Sequence, residues 1–502
     1  KESCLKGILR VNFWIGIRTA NWQIMASNTI GTGIFREMTE PGFYWKNQCR
    51  DCVRSMYNHG GYQMEDPGQQ IYKIAEELFP ICRSITGNGV RKTLQILKKY
   101  IPQLQVTEVP SGTKVFDWEV PNEWNITEGY IEDSTGRRII DFQNHNLHIM
   151  GYSVPVDAYV TLDELKQHIY TEPQQPDVIP YITSYYKENF GFCMSENQKN
   201  SLREDRYHMV IKSTLKPGSL TYAEAVIPGE SKEEIFFSTY ICHPSMANNE
   251  CSGPALAAYL AGQLAQKQHR RYTLRFVFVP ETIGSICYLS THKDELKAHV
   301  IAGFNLSCVG DQDDYSIVES RYGNTLADRV LKNILRDSCG KYTTYSFLKR
   351  GSDERQYNAP GIDLPVVSFC RTKYGEYPQY HTSADHMDYI SPEGFQGSYE
   401  VMCRVIEALE YNRNYEVQVL CEPQLGKRGL YPAVSRKGQY DEIYLMTTLI
   451  AYADGTNDLI AISDRMQCPM EVLIAIVKKL MAHGLLQAKK QIDEKMAGNA
   501  QN

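Results

Sequence analysis

From Glu234 onward, short apolar runs that read as strands alternate with stretches of helical period, and this alternation constrains the fold more than any other feature of the chain. Segments 235–241, 272–279, 301–309 and 364–370 are predicted strands, and 253–266, 285–296, 326–335 and 392–411 are predicted helices. Parallel strands need crossovers of about that helical length, so the expected core is α/β: a mostly parallel sheet flanked by helices. In such open sheets, ligands gather beyond the carboxyl ends of the strands. Four polar clusters fall at those ends: Cys242-His-Pro-Ser245, Pro280-Glu-Thr-Ile-Gly284, Gly310-Asp311 and Tyr380-His-Thr-Ser-Ala-Asp385.

A single histidine is more often structural than a ligand. Several imidazoles and carboxylates at successive strand ends point instead to a metal-type hydrolase site centred on His243, Glu281 and His381. A zinc-like ion needs such donors from separate loops, with one position left for water, and it polarises a substrate carbonyl. Glu281 suits the role of base, and Asp385, four residues after His381, suits that of orienting an imidazole. Asp353, Glu354 and Arg355 read either as an ion-pair network or as site residues, with Arg355 or Arg371 binding a substrate carboxylate and Asp353 completing the metal shell. Arg83 reads as a carboxylate or phosphate clamp on the Gly-rich turn 80–89, and Tyr380 as a pocket wall. Ser245 lacks the Gly-x-Ser-x-Gly elbow, which argues against a serine nucleophile.

The segment from His243 to Asn249-Glu-Cys-Ser-Gly253, together with 276–284 and 381–385, resembles the co-catalytic zinc exopeptidase clan. Residues 66–490 more closely resemble a bacterial family of aminopeptidase-like proteins with a nested β domain and a C-terminal winged helix, often associated with surface-polysaccharide gene clusters. Its matching strings include Pro80-Ile-Cys-Arg-Ser-Ile-Thr-Gly87, Val115-Phe-Asp-Trp-Glu-Val-Pro121, Ile179-Pro-Tyr-Ile-Thr-Ser-Tyr-Tyr186 and Gly351-Ser-Asp-Glu-Arg-Gln-Tyr357. The resemblance implies a metal-dependent aminopeptidase or amidohydrolase with Glu281 as catalytic base and His243, Asn249, Glu250, Asp311 and His381 toward the metal. This chain departs from the clan at three carboxylate positions, occupied by Asn249, Thr282 and Ser307. The lost negative charge makes one zinc ion the expectation rather than two, and leaves a degenerate, ligand-binding fold in polysaccharide assembly as the alternative.

The 502 residues favour several domains. The expected division is an extension 1–63, an α/β domain of 64–110 and 231–415, an inserted β-rich domain 111–230, a winged helix 416–490 and a tail 491–502. The extension carries eight Lys/Arg against four Asp/Glu and three of the five tryptophans without a clean period, so it is expected to pack poorly. Its Cys49-Arg-Asp-Cys52 spacing has no second pair to complete a zinc site. His145 and His148, read as strand residues, point to opposite faces.

The net charge of −6 gives no reason to expect nucleic acid or anionic membrane as partner, and residues 431–485 hold five Lys/Arg against six Asp/Glu, too acidic for a DNA-reading helix. The expected partners are a small peptide or an amide-bearing amino sugar, with a homo-oligomer left open. No apolar run approaches the ~20 residues of a membrane span, and no signal peptide is read. Cysteines lying in apolar runs, such as Cys242, Cys287, Cys308 and Cys370, read as reduced thiols of a cytoplasmic protein.

Overall fold

The computed structural model describes residues 66–203, 205–431 and 439–489; the expectations for 1–63 and 491–502, the Cys49–Cys52 spacing among them, lie outside the described residues. Eight strands build one mixed sheet: β1 (Gln105–Pro110), β2 (Ser219–Ile227), β3 (Ser231–Tyr240), β4 (Tyr272–Val279), β5 (Val300–Leu306), β6 (Ser316–Val318), β7 (Thr343–Tyr345) and β8 (Val366–Cys370). Their spatial order is β1-β2-β4-β3-β5-β8-β6-β7. The four central strands β4, β3, β5 and β8 run parallel, so their carboxyl ends share one edge. β1, β2 and β6 are antiparallel additions on the two flanks.

β4 is buried at every position and β3 over its last seven, as expected for strands covered on both faces. Phe237 stacks between Phe276 and Phe304, with ring centroids 4.7 and 5.6 Å away. Truncating such a ring to alanine costs about 3–5 kcal/mol. The covering helices include α1 (Pro67–Leu78), α2 (Ser252–Ala265), α3 (Ile283–His299), α4 (Leu326–Cys339) and α5 (Pro392–Tyr411). A Cβ on Gly253 would stand 2.3 Å from Thr239 Oγ1 and 2.4 Å from the Leu306 carbonyl oxygen, so α2 approaches β3 and β5 this closely only through glycine.

A second sheet is built from the chain between β1 and β2. Strands Arg138–Asp141, Glu123–Glu132, Arg206–Lys216 and Val156–Thr161 form, in that spatial order, a separate antiparallel sheet. The following strand, β2, belongs to the main sheet, so the insertion closes before Ser219 rather than at 230. A second correction concerns His145 and His148, which belong to a short 3-10 turn capped by His145 and not to a strand. At the C-terminus, helices Gln439–Tyr452, Leu459–Met466 and Met470–Ala482 and a three-stranded sheet make a winged helix-turn-helix. Asp458, Asp464 and Glu471 of this module pair with Arg329, Arg336 and Arg404 of α4 and α5. The eleven described cysteines are free thiols, and no described helix is long and apolar enough to cross a membrane.

Candidate metal centre

The site lies at the shared edge of the central strands. His243 follows β3, Glu281 follows β4, Ser307 and Cys308 follow β5, and His381 ends the long loop after β8. Between β3 and α2, residues Ala247–Cys251 form a single wide π turn, a feature frequent at functional sites. Asp385 holds that turn by accepting from the amides of Asn248 and Asn249 at 2.6 and 2.9 Å. Burial pushes the Asp385 carboxyl up to about 6 despite those bonds.

His243 is 5% exposed and donates from Nδ1 to Glu250 Oε2 at 2.6 Å. That bond fixes the ring and leaves Nε2 as the free face, 3.8 Å from Glu281 Oε2. Burial works to lower the His243 pKa, but Glu250 and Glu281 outweigh it and the net shift is upward. The His381 ring lies 5.2 Å from that of His243, centroid to centroid, and stacks on Tyr380 at 3.9 Å. Its Nε2 is buried and has no hydrogen-bond partner, and burial followed by the nearness of His243 depresses its pKa to about 3. His381 therefore offers a neutral, unpartnered lone pair at any physiological pH. It sits at φ +58°, and Thr282 at φ +65°, two side-chain-bearing residues held in the left-handed region. Such conformations cost about 1–3 kcal/mol each and cluster at active sites.

Glu281 faces Asp353. Burial raises the pKa of both carboxyls; at Glu281 the neighbouring His243 and Arg355 work against it, whereas at Asp353 the nearby Glu281 adds to it and the group is pushed up to about 8. Asp353 Oδ1 accepts from the Thr282 amide and the Ser285 hydroxyl at 2.8 Å, while its Oδ2 is buried without a partner. Arg355 donates to Thr282 Oγ1 at 2.6 Å, so a guanidinium reaches the position where the clan has a carboxylate.

Not every expected residue reaches the centre. Asp311 is 1% exposed and fully engaged by Asn248 Nδ2, Thr372 and the Asp313 amide, which places it behind the π turn as a brace. Glu250 stands behind His243 rather than in front of it. Arg83, expected as a clamp, is 2% exposed and donates to the carbonyls of His243 and Leu78 and to Cys251 Sγ, fastening the His243 loop. Arg371 is tied to the carbonyls of Asp314 and Gly394 and lies over the Tyr315 ring, away from solvent. Asn249 donates to the Tyr240 hydroxyl, and its Oδ1 is left unpartnered.

Two residues beyond the expected set matter. Tyr181 of the inserted domain lies 5.0 Å from the His243 ring and 5.1 Å from the His381 ring, centroid to centroid. Its hydroxyl pairs with that of Tyr185 at 2.7 Å. Backbone bonds from Tyr181 N to His381 O and from Ser383 N to Ile179 O, both 2.9 Å, strap this segment along the His381 loop. The string 179–186 carried a family signal, but nothing local in it points to a ring some 200 residues away in sequence.

The donor types gathered here, imidazole and carboxylate, suit a divalent cation. Four of the ten buried polar atoms without a hydrogen-bond partner among the described residues, Asn249 Oδ1, Glu250 Oε1, Asp353 Oδ2 and His381 Nε2, belong to this one site, with Glu250 Oε1 lying 3.9 Å from Arg83 Nε. The tightest donor group in it, within 4.8 Å, is Cys242, His243 and Glu250, while His243, Glu281 and His381 are set wider.

A domain family described as of unknown function (DUF4910) matches residues 72–412, and a winged helix-turn-helix family matches 413–488. A Clostridium acetobutylicum protein named as a presumed polysaccharide biosynthesis protein with an aminopeptidase-like domain is 47% identical over 401 residues, 79% of this chain and 91% of that one. The crystal structure of a presumed peptidase from Clostridium acetobutylicum aligns with TM-score 0.81 and 42% identity, covering 88% of this chain and 100% of that one. A zinc aminopeptidase from Bacillus subtilis aligns with TM-score 0.48 and 14% identity over 67% of this chain and 93% of its own.

Proposed function

The chain belongs to the DUF4910 family, here joined to a winged helix, and from that premise we propose that it hydrolyses an amide bond with the help of one metal ion. The substrate class is a small peptide or, in line with the relative named for polysaccharide biosynthesis, an amide-bearing amino-sugar conjugate. The observation that carries this reading is the pair His243 and His381, one oriented by Glu250 and the other neutral with a buried, unpartnered Nε2, beside Glu281.

Imidazole and carboxylate donors suit zinc. When bound, the ion would polarise the scissile carbonyl and acidify water. The donor set supports one ion because Thr282 takes the Arg355 guanidinium, Ser307 takes the Tyr240 hydroxyl, and Asn249 is neutral. With those carboxylates gone, little remains to hold two dications together.

Glu281 moves the proton: its raised pKa lets it accept from the attacking water and return the proton to the leaving amine. Asp353 shares that buried environment, and two facing carboxyls do not both ionise near neutral pH. In the Tyr181–Tyr185 hydroxyl pair one O–H is spent on the other oxygen, which leaves one neutral donor on the roof for charge developing on the carbonyl oxygen. A second reading, a binding or scaffold protein in polysaccharide biosynthesis, is favoured by the three replaced carboxylates at 249, 282 and 307.

Metal analysis separates the two. Near-stoichiometric zinc, lost in the His243→Ala, His381→Ala double variant together with chelator-sensitive amide hydrolysis, is the expected result. Metal-free protein without chelator-sensitive activity would sink the hydrolase.

A further inference from the structure

The string Val115-Phe-Asp-Trp-Glu-Val-Pro121 has no part in the site above, yet it forms an unusual surface. Lys114–Val115 and Trp118–Glu119 pair as a minimal hairpin, with Phe116 and Asp117 as its turn. Phe116 takes φ +54° there and is 58% exposed. Tight hairpin turns give such positions to Gly, Asn or Asp, so a bulky aromatic is both strained and displayed. Val115 and Val120 are buried with Ile283, Ile286 and Cys287, which makes the hairpin's base rigid. On its outer side Trp118 meets Tyr186 edge to face at 5.8 Å, and the two rings are 40% and 58% exposed.

Beside them lies an open groove of about 540 Å³ lined by Asp117, Trp118, Glu119, Asn122, Tyr186 and Ser111, with no Lys or Arg in its lining. That volume falls in the range of small-molecule sites. The carboxylates of Asp117 and Glu119 and the Trp118 indole make no hydrogen bond or ion pair with the described residues. Five other acids of the inserted domain are engaged by arginines: Glu123 by Arg91, Asp133 by Arg137, and Glu128, Glu132 and Asp141 by Arg138. The groove therefore combines exposed aromatic faces, unengaged carboxylates, and amide and hydroxyl groups.

We propose that this groove binds an amino sugar through its free ammonium group and ring hydroxyls. An ammonium over Trp or Tyr is held by cation–π attraction and here has two carboxylates beside it. Asn122 and Ser111 match hydroxyls, and the absence of lining cations turns away phosphorylated or nucleotide-linked sugars. The groove is tied in sequence and packing to elements of the candidate centre: Tyr186 follows Tyr185, the partner of Tyr181, and Val115 shares a buried cluster with Ile283, two residues past Glu281. As the holder of the sugar part of an amide conjugate, the groove rests on the hydrolase reading; sugar binding itself does not.

Calorimetric titration of the full chain, after chelation of metal, compares the fully deacetylated glucosamine trimer with its N-acetylated form, maltotriose and trilysine. The glucosamine trimer is expected to bind at least tenfold more tightly than the other three. Trp118→Ala should abolish binding, and the Asp117→Asn, Glu119→Gln double variant should erase the preference, with thermal melting unchanged in both. Equal affinity for the three sugars, binding that survives Trp118→Ala, or tighter binding of trilysine would overturn the proposal. So would dissociation of a dimer by Trp118→Ala, which would make the surface a contact between copies. Failure of the hydrolase is read separately, from zinc content and chelator-sensitive turnover, neither of which enters this titration.

Discussion

Glu281 is half enclosed, 3.8 Å from the His243 imidazole, and its carboxyl is shifted upward by burial. Removing its charge while keeping its shape isolates the proton-transfer role. Glu281→Gln should lower kcat by about 10²–10⁴-fold with zinc content and KM little changed, measured by steady-state kinetics beside metal analysis. His145 is a different kind of residue, structural and pH-sensitive. Its Nδ1 accepts the Leu147 amide at 3.1 Å, so it must be neutral, and burial first, then His148 and His386, lower its pKa to about 4. A histidine with a depressed folded pKa adds stability that is present above its unfolded value of ~6.5 and lost as pH falls through the folded one. Stability should therefore drop between about pH 6.5 and 4, by about 1–2 kcal/mol after solvent screening. In His145→Asn, which keeps a capping acceptor, urea midpoints measured across that window should flatten.

At the scale of elements, the segment of the inserted domain from Ile179 to Tyr185 is what encloses the site. It borrows the His381 loop as a strand partner through the Pro180 to Thr382 bridge, so the strained His381 backbone and the Tyr181 ring are set together. Tyr181→Phe keeps both ring contacts with the imidazoles and deletes the hydroxyl pair with Tyr185. The expected effect is a fall of about tenfold in kcat/KM without a change in melting temperature, the scale of one neutral donor to developing charge. A matching fall in thermal stability would assign the hydroxyl a structural role instead. Placement of the long helices and strands over residues 234–411 was legible in the sequence because each of these is apolar and closed by a turn. β6 and β7 were not, since three residues at 316–318 and three at 343–345 carry no period; β6 forms on the open edge of β8, and β7 in turn on the edge of β6.

Across the whole molecule, the winged helix is fixed to the α/β domain by carboxylates on its side and arginines on the other. Asp458 does double duty, capping helix Leu459–Met466 through the Ala461 amide at 2.8 Å and pairing with Arg329 at 2.6 Å. Asp458→Ala should destabilise the chain by about 1–3 kcal/mol, one cap plus one partly exposed ion pair, as read from urea denaturation. Glu471, in the first turn of helix Met470–Ala482, is paired with Arg404 of α5, so the end of that helix which would enter a DNA groove faces protein and carries negative charge. Gel retardation at low ionic strength should accordingly detect no DNA binding.

The α/β core, the winged helix and the histidines at the strand ends follow from local information, because hydrophobic period and residue type are properties of neighbours in the chain. Folding distributed the roles. Glu250 and Asp311 look like ligands in a string of letters, yet one orients His243 and the other braces Asn248. Arg83 and Arg371 look like substrate clamps and are buried fasteners. Tyr181 looks like nothing in particular and closes the roof. Whether a polar side chain is a ligand, a brace or a wall depends on which partner already engages its atoms, and those partners lie tens to hundreds of residues away, brought near only by packing.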